Sequence, residues 1–542
     1  MIRPAYAPWR HTFVLAATLV VGVAIAVHLG VLGHGFTLDD EGIIQRNPLV
    51  HSLSGVWRAF GAPWWPEVGG QYRPLVLAVF TVEWWIGGGS PAVFHASNLL
   101  WHALVVLLVM QFTREVASLG AAIVAGLLFA VHPVHVEAIA GIVGRAELMA
   151  AAGVLAALLL HRRGSWWSVL AYALALLSKE HAIVFPVLAL AMDHLVPTVA
   201  PHAASAEAQR AWRLRRSLRY LAYGAVVAAW ITIVALLFRG AMPVPAHPLW
   251  LALSAPSRWL TMLGVVPTWL RLFVAPADLS VDYAPAVLSA WPAAWPAALL
   301  GAGLLLGAMA ALAHAWRRAP SAALAGVWIG VTLLPVANLL LPTGIVTAER
   351  VLYLPSVGVV LLAALGVARA ARESRASQAV LTLALVVAIA FAARSITRVP
   401  AWASNKEILL TTLREHPESS FAHALLGRVY LSNRATDQAL DAFRTAAELF
   451  PEATAPWLDA ARTAVAAGRH ALADSLLARG LTTAAQPYDL WMARASLARD
   501  QLDGERLVAA AGRASALRPD LDAPRLLAVQ GWLLLAQADS AR

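Results

Sequence analysis

The chain has 542 residues, 60% of them hydrophobic and only 13% charged, with a mean hydropathy of +0.66 and a formal net charge of +10. A water-soluble core cannot absorb apolar runs of this length, so roughly the first 400 residues read as a polytopic membrane bundle. The arginines lie in short loops between apolar runs rather than on one face, which argues against nucleic acid as a partner, and the absence of cysteine excludes disulfides, thiolate metal sites and cysteine nucleophiles.

Taken in chain order, a short basic segment with Arg3 and Arg10 precedes an apolar run over 12–32. At about 20 residues and without a small-x-small cleavage pattern, this run reads as a retained first helix rather than a signal peptide. Arg114, Arg162/Arg163, Arg210 to Arg219, Arg317/Arg318 and Arg372/Arg375 mark later loops, and the positive-inside tendency makes these loops cytoplasmic. A path that keeps them on one side crosses at 12–32, 94–112, 118–132, 146–160, 165–178, 181–196, 218–238, 292–315, 321–341, 351–371 and 377–396. About eleven crossings put the N-terminus in the cytoplasm and the C-terminal part outside. The apolar stretches 74–87 and 255–275 then lie along the outer interface or re-enter.

With that topology the polar clusters between the arginine loops share the outer face. They are Asp39-Asp40-Glu41, Gln71 to Pro74, His132 to Glu137 continuing to Arg145 and Glu147, Lys179-Glu180-His181, Asp282-Tyr283 and Glu349-Arg350. Carboxylates suited to acid/base work and cations able to hold a phosphate therefore gather on one side of the membrane, which reads as an enzyme site. His132, Pro133 and His135, followed by Glu137, have zinc-like spacing. Pro133 breaks a regular helix between the imidazoles and no third histidine follows, so no metal or other cofactor is expected.

Beyond residue 400 the pattern changes to a period. Pro417 and Pro451 stand one 34-residue unit apart, and His423, Leu426, Gly427, Tyr430, Ala439, Phe443 and Ala446 fill the positions of a tetratricopeptide repeat between them. Looser units follow through Trp457, Ala461, Ala473 and Leu477, then through Trp491, Ala495, Ala498, Ala514 and Pro519. The expected organisation is all-α: a membrane domain over 1–400 with a first outer loop at 33–92, then a repeat solenoid over 401–542. The solenoid comprises about three units within 417–519 and a capping helix over 523–539, and such arrays bind extended peptide or protein surfaces.

The blocks GFTLDDEGIIQRNPLV, YRPLVLAVF, FHASNLLWHALVVLL, FAVHPVHVEAIAGIVGRAELMA, LLSKEHAIVFPVLAL, LSVDY and ERVLYLPSVGVVLL, followed by these repeats, closely resemble the transmembrane and tetratricopeptide-repeat-containing proteins. The resemblance covers nearly the whole chain, although many relatives carry more repeats. It implies a type C glycosyltransferase fold and a hexosyltransferase that moves a sugar, typically mannose, from a polyprenyl-phosphate lipid to Ser or Thr hydroxyls of an exoplasmic protein. The partners so implied are a lipid-linked donor, a protein acceptor held by the repeats, and the membrane.

Inverting transfer needs a carboxylate to deprotonate the acceptor and cations to stabilise charge on the departing phosphate. Asp39 or Asp40 suits the first role, and the resemblance assigns it to an acidic residue of the first outer loop, with Asp40 slightly favoured. Arg350 is the first choice for the phosphate because its planar fork can hold two oxygens, followed by Arg145, Lys179 and Arg73. His132, His135, Glu137, Glu147, Glu180 and Glu349 are candidates to position substrate. A lipid-linked sugar flippase and a membrane-tethered repeat scaffold are the alternatives; the first predicts charges deep in the spans and an inverted repeat, the second needs only one anchoring helix. The Ala- and Arg-rich composition suggests a bacterial source, hence an undecaprenyl-type carrier and a periplasmic outer face.

Overall fold

A computed structural model describes residues 8–66, 70–197, 206–238, 247–340, 342–373 and 377–540; the expected loop markers Arg3 and Arg375 lie outside these. The described residues form helices joined by turns, with no strand among them. In a bilayer each backbone N–H and C=O must be satisfied within its own segment, and helices do this.

Seven helices are long and apolar enough to cross a membrane: His11–Gly33, Pro91–Val116, Ile142–Arg162, Gln209–Phe238, Trp295–Arg318, Glu349–Arg372 and Gln378–Trp402. An eighth crossing is available if Leu119–Ala130 and Pro133–Ala140, bent by 54° at their junction, form one broken span. Pro133 supplies the break, since it cannot donate to the preceding turn. The other expected crossings fall on Trp167–Ser178, Phe185–Leu195 and Pro320–Leu333, of 12, 11 and 14 residues. At ~1.5 Å per residue these are too short for a ~30 Å hydrocarbon core. By length and composition alone seven or eight helices qualify as spans, while the three shorter helices also run from one end of the bundle to the other.

Contacts sort the loops into two ends. At one, Arg162 donates to the Val196 carbonyl at 2.8 Å, Arg219 to the His161 carbonyl at 3.0 Å, and Ser321 to the Val116 carbonyl at 2.5 Å. The arginine-bearing loops meet there. The opposite end gathers the loop after His11–Gly33, the turns at 131–147 and 179–184, the segments 275–290 and 337–350, and the start of the repeats. The helix Pro74–Gly87 belongs to this second end, with Arg73 on Glu180 and Glu83 on Arg145. So does Ala255–Val274: Arg258 Nε donates to the Asn338 carbonyl at 2.9 Å, and Trp269 Nε1 to Thr347 Oγ1 at 2.8 Å. Small residues let helices approach closely inside the bundle. A Cβ on Gly153 would stand 2.7 Å from that of Ala175, where Arg145–Arg162 packs on Trp167–Ser178.

After Gln378–Trp402 the chain turns into the amphipathic helix Asn405–Glu415 and then three helical hairpins. These are Ser420–Ser432 with Thr436–Leu449, Thr454–Ala466 with His470–Thr483, and Tyr488–Asp500 with Gly504–Leu517, capped by Ala523–Ser540. The signature glycine has a steric cause: a Cβ on Gly427 would lie 2.6 Å from the Phe443 ring, which fills the groove between the two helices.

Candidate active site at the junction of bundle and repeats

The acidic loop is fixed at both of its neighbours. The Gly35 amide donates to the Ala403 carbonyl at 3.1 Å and the Leu38 amide to Asn405 Oδ1 at 2.9 Å, while Asn405 Nδ2 donates to Glu41 at 2.6 Å. Leu38 has φ +46°, a left-handed conformation that costs a branched residue energy and persists because Asn405 holds it. The twist sends the two adjacent carboxylates in different directions.

Asp40 turns inward and is fully buried. Its Oδ1 accepts from the Val143 amide at 2.9 Å. Its Oδ2 accepts from the Thr37 amide at 3.1 Å, the Thr37 hydroxyl at 3.3 Å and the Ile142 amide at 3.3 Å. It thus ties the loop after His11–Gly33 to the turn before Arg145–Arg162 and makes no cap for the helical turn Glu41–Gln45. Burial pushes its carboxyl up to about 7 against the lowering effect of these backbone amides.

Asp39 turns to a cleft of about 340 Å³ whose walls also include Leu38, Asp282, Arg350, Phe421 and Phe450. Of the residues expected from the sequence, Asp39 and Arg350 line it. Glu137 aims Arg350: its Oε2 accepts from the Arg350 amide at 2.7 Å and its Oε1 from the guanidinium, whose side chain stays 29% exposed. Asp39 and Glu147 add to the negative field at Arg350.

The remaining candidates are engaged by protein. Arg145 is fully buried and donates to Asn98, to Glu83 and to the Phe94 carbonyl at 2.8 Å, so its fork knits helices together rather than facing a ligand. Lys179 donates to Glu147, with His181 Nε2 3.4 Å from the other Glu147 oxygen. Arg73 grips Glu180 through two bonds of 3.0 and 2.6 Å and stands over the Trp64 ring. Against burial, which raises it, Arg73 and Lys179 hold the Glu180 carboxyl down at about 2. His132 donates through Nε2 to the Phe273 carbonyl at 3.0 Å and accepts the Val134 amide on Nδ1. His135 lies between the Phe129 carbonyl at 2.9 Å and Ser356 Oγ at 2.8 Å. Glu349 accepts from the Ser280 amide at 2.7 Å and the Tyr283 hydroxyl at 3.1 Å. No group of three or more metal-ligating side chains occurs among the described residues.

Arg398 escaped the sequence reading, and Asp282 stood in it only as a member of a polar cluster, without a role. Arg398, buried at the cleft end of the helix Gln378–Trp402, lies 3.6 Å from Glu349 and holds Glu415 at 3.0 and 3.2 Å. An arginine at the end opposite the arginine loops breaks their pattern, and this was the available signal. Asp282 lines the cleft and accepts from Ser419 Oγ at 3.3 Å, while burial pushes its carboxyl up to about 6.

No family model matches the chain. Curated relatives that align with most of it are protein O-mannosyl-transferases, in line with the resemblance read from the motif blocks. Protein O-mannosyl-transferase TMTC3 of Mus musculus is 25% identical over 519 residues, covering 88% of this chain and 56% of the relative. Protein O-mannosyl-transferase F38B6.6 of Caenorhabditis elegans is 26% identical, covering 80% and 62%. Protein O-mannosyl-transferase Tmtc2 of Drosophila melanogaster reaches 38% over 153 residues, which is 27% of this chain and 16% of that relative. The chain spans little more than half the length of the first of these relatives. Among solved structures, a chain from the APC/C hetero-tetramer Cut9-Hcn1 matches at 13% identity and a TM-score of 0.28, over 84% of this chain and 93% of that one, and carries no argument.

Proposed function

We propose that this chain is an integral membrane glycosyltransferase that transfers a hexose, mannose in the first instance, from a polyprenyl-phosphate donor to Ser or Thr hydroxyls of a protein, with inversion. The observation that carries the reading is the cleft itself: a carboxylate, Asp39, and a cation, Arg350, share one opening where the bundle meets a peptide-binding type of repeat. The names of the aligned relatives support the same reaction class.

In this reading Asp39 accepts the proton of the acceptor hydroxyl as its oxygen attacks the anomeric carbon. The bond from that carbon to the phosphate oxygen breaks, and the electron pair leaves with the polyprenyl phosphate. Arg350, steadied by Glu137, stabilises the charge that builds there. The products are the O-glycosylated protein and the lipid phosphate, and the proton passes from Asp39 to solvent. Asp39 is preferred over Asp40 because Asp40 already accepts four hydrogen bonds in a buried pocket, whereas Asp39 opens to the cleft.

The arginine-loop end would face the cytoplasm and the cleft the exoplasmic side. With the bacterial source that the composition suggests, the carrier would be undecaprenyl phosphate and the outer side the periplasm. The test is purified protein in detergent with polyprenyl-phosphate mannose or its glucose counterpart and Ser/Thr peptides. Sugar transfer to peptide is expected, and none from either donor would sink the proposal.

A further inference from the structure

The cleft has two chemically different walls. On the bundle side stand Asp39, Asp282 and Arg350; on the repeat side stand Phe421 and Ala424 of Ser420–Ser432, with Phe450 just after Thr436–Leu449. Ser420 is the hydroxyl on that second wall, and its Oγ is spent on the Ala446 carbonyl at 2.7 Å, so the repeat face presents an apolar surface.

This wall is fixed to the bundle. Arg398 clasps Glu415 just before the first hairpin, Ser419 donates to Asp282, and the His247 ring stacks on Phe450 with centroids 5.5 Å apart. Asn405 binds both the Leu38 amide and Glu41, next to the acidic pair. A repeat domain tied in this way does not act as a loosely tethered collector. Its first hairpin is part of the cleft.

Building on the glycosyltransferase reading, we propose that the first tetratricopeptide hairpin is the acceptor wall of the site. Phe421, Ala424 and Phe450 form a slot for the side chain beside the acceptor hydroxyl, which selects an extended peptide with an apolar residue next to its Ser or Thr. The argument for an acceptor over a donor is one of access. A lipid-linked donor must enter from the bundle, where its chain stays in apolar surroundings, whereas the hairpin belongs to the water-exposed solenoid from which a protein arrives. Size sets the form of the acceptor. A volume of about 340 Å³ is at the small end of the ~300–1,000 Å³ typical of ligand sites, so it admits a reacting residue and its neighbour but not a folded domain.

The experiment reads binding without turnover. Full-length protein in detergent, with no donor, is titrated with fluorescent peptides carrying one Thr flanked by Val and Leu or by Gly and Ser. The apolar-flanked peptide is expected to bind at least tenfold tighter, as burial of one aliphatic side chain allows. Phe421→Ala should remove most of that preference. Ala424→Leu, which fills the slot without deleting a packed ring, should weaken the apolar-flanked peptide specifically and decides the matter if Phe421→Ala proves unstable. Equal binding of the two peptides to the unmodified protein, or a preference unchanged in Ala424→Leu, overturns the proposal. A binding preference in protein that transfers no sugar supports the slot and sinks only the glycosyltransferase reading.

Discussion

Replacing Asp39 and Asp40 separately by asparagine should separate chemistry from structure. Asp40 accepts from three backbone amides and the Thr37 hydroxyl inside a closed pocket. In Asp40→Asn the side-chain NH2 must face at least one of those donors, and each buried donor left unmet costs ~1–3 kcal/mol. Part of that loss is offset because a neutral amide escapes the desolvation that pushes Asp40 up to about 7. The expected net effect is a loss of about 1–2 kcal/mol, within the range of a broken buried contact. Asp39→Asn keeps the shape of the cleft wall and should alter stability by less than ~0.5 kcal/mol, yet cost about 10²–10⁴-fold in turnover as the base is lost. Thermal midpoints in detergent, read by size-exclusion recovery after heating, are compared with initial rates of sugar transfer. A pH series adds a signed check. With its folded value raised above the unfolded one, Asp40 binds more protons folded than unfolded between about pH 4 and 7, so its contribution to stability falls as pH rises through that window. The midpoint of the unmodified protein should therefore decline more steeply across that window than that of Asp40→Asn. An Asp40→Asn protein as stable as the original but inactive, beside a fully active Asp39→Asn, would refute the reasoning.

Arg350→Ala should lower turnover by about 10²–10³-fold, as loss of a preorganised charge does elsewhere, and Arg350→Lys should recover only part because an ammonium is a point charge where the planar guanidinium can hold two phosphate oxygens; transfer rates check both. Arg145→Ala should fail to accumulate as a monodisperse protein, since it strands the buried Glu83 carboxylate at a cost of ~3–5 kcal/mol; a well-folded variant with only a higher donor KM would instead make Arg145 a phosphate ligand. Chelation with EDTA should leave transfer unchanged, and a metal-restorable loss would overturn the metal-free mechanism. Gly427→Ala forces a methyl group against the Phe443 ring and should destabilise the repeat domain by ~1–3 kcal/mol, seen as a lowered midpoint for that domain by limited proteolysis on heating.

Much of the architecture was legible because it rests on local rules. Apolar run lengths and arginine loops mark the bundle and its two ends, and a 34-residue period with glycine and alanine at helix contacts marks the solenoid. Where the runs shorten, as at Trp167–Ser178 and Phe185–Leu195, composition alone does not decide whether a run spans, because a buried core helix is as apolar as a spanning one. The sequence likewise keeps the ionisable residues at the two ends of the bundle and gathers the mixed carboxylate and cation clusters at one of them, since charge is expelled from lipid. It does not say which of them are spent on each other. Arg350 ranks ahead of Arg145, Lys179 and Arg73 in the sequence, but pairing depends on neighbours 32 to 213 residues away, and only the packed structure buries the other three against carboxylates while leaving Arg350, held by Glu137, partly open. The adjacent pair Asp39 and Asp40 shows the same division. Chain position makes them interchangeable, and the left-handed turn at Leu38, fixed by Asn405 just beyond the last long apolar helix, turns one carboxylate to the backbone amides of Ile142 and Val143 and the other to the cleft.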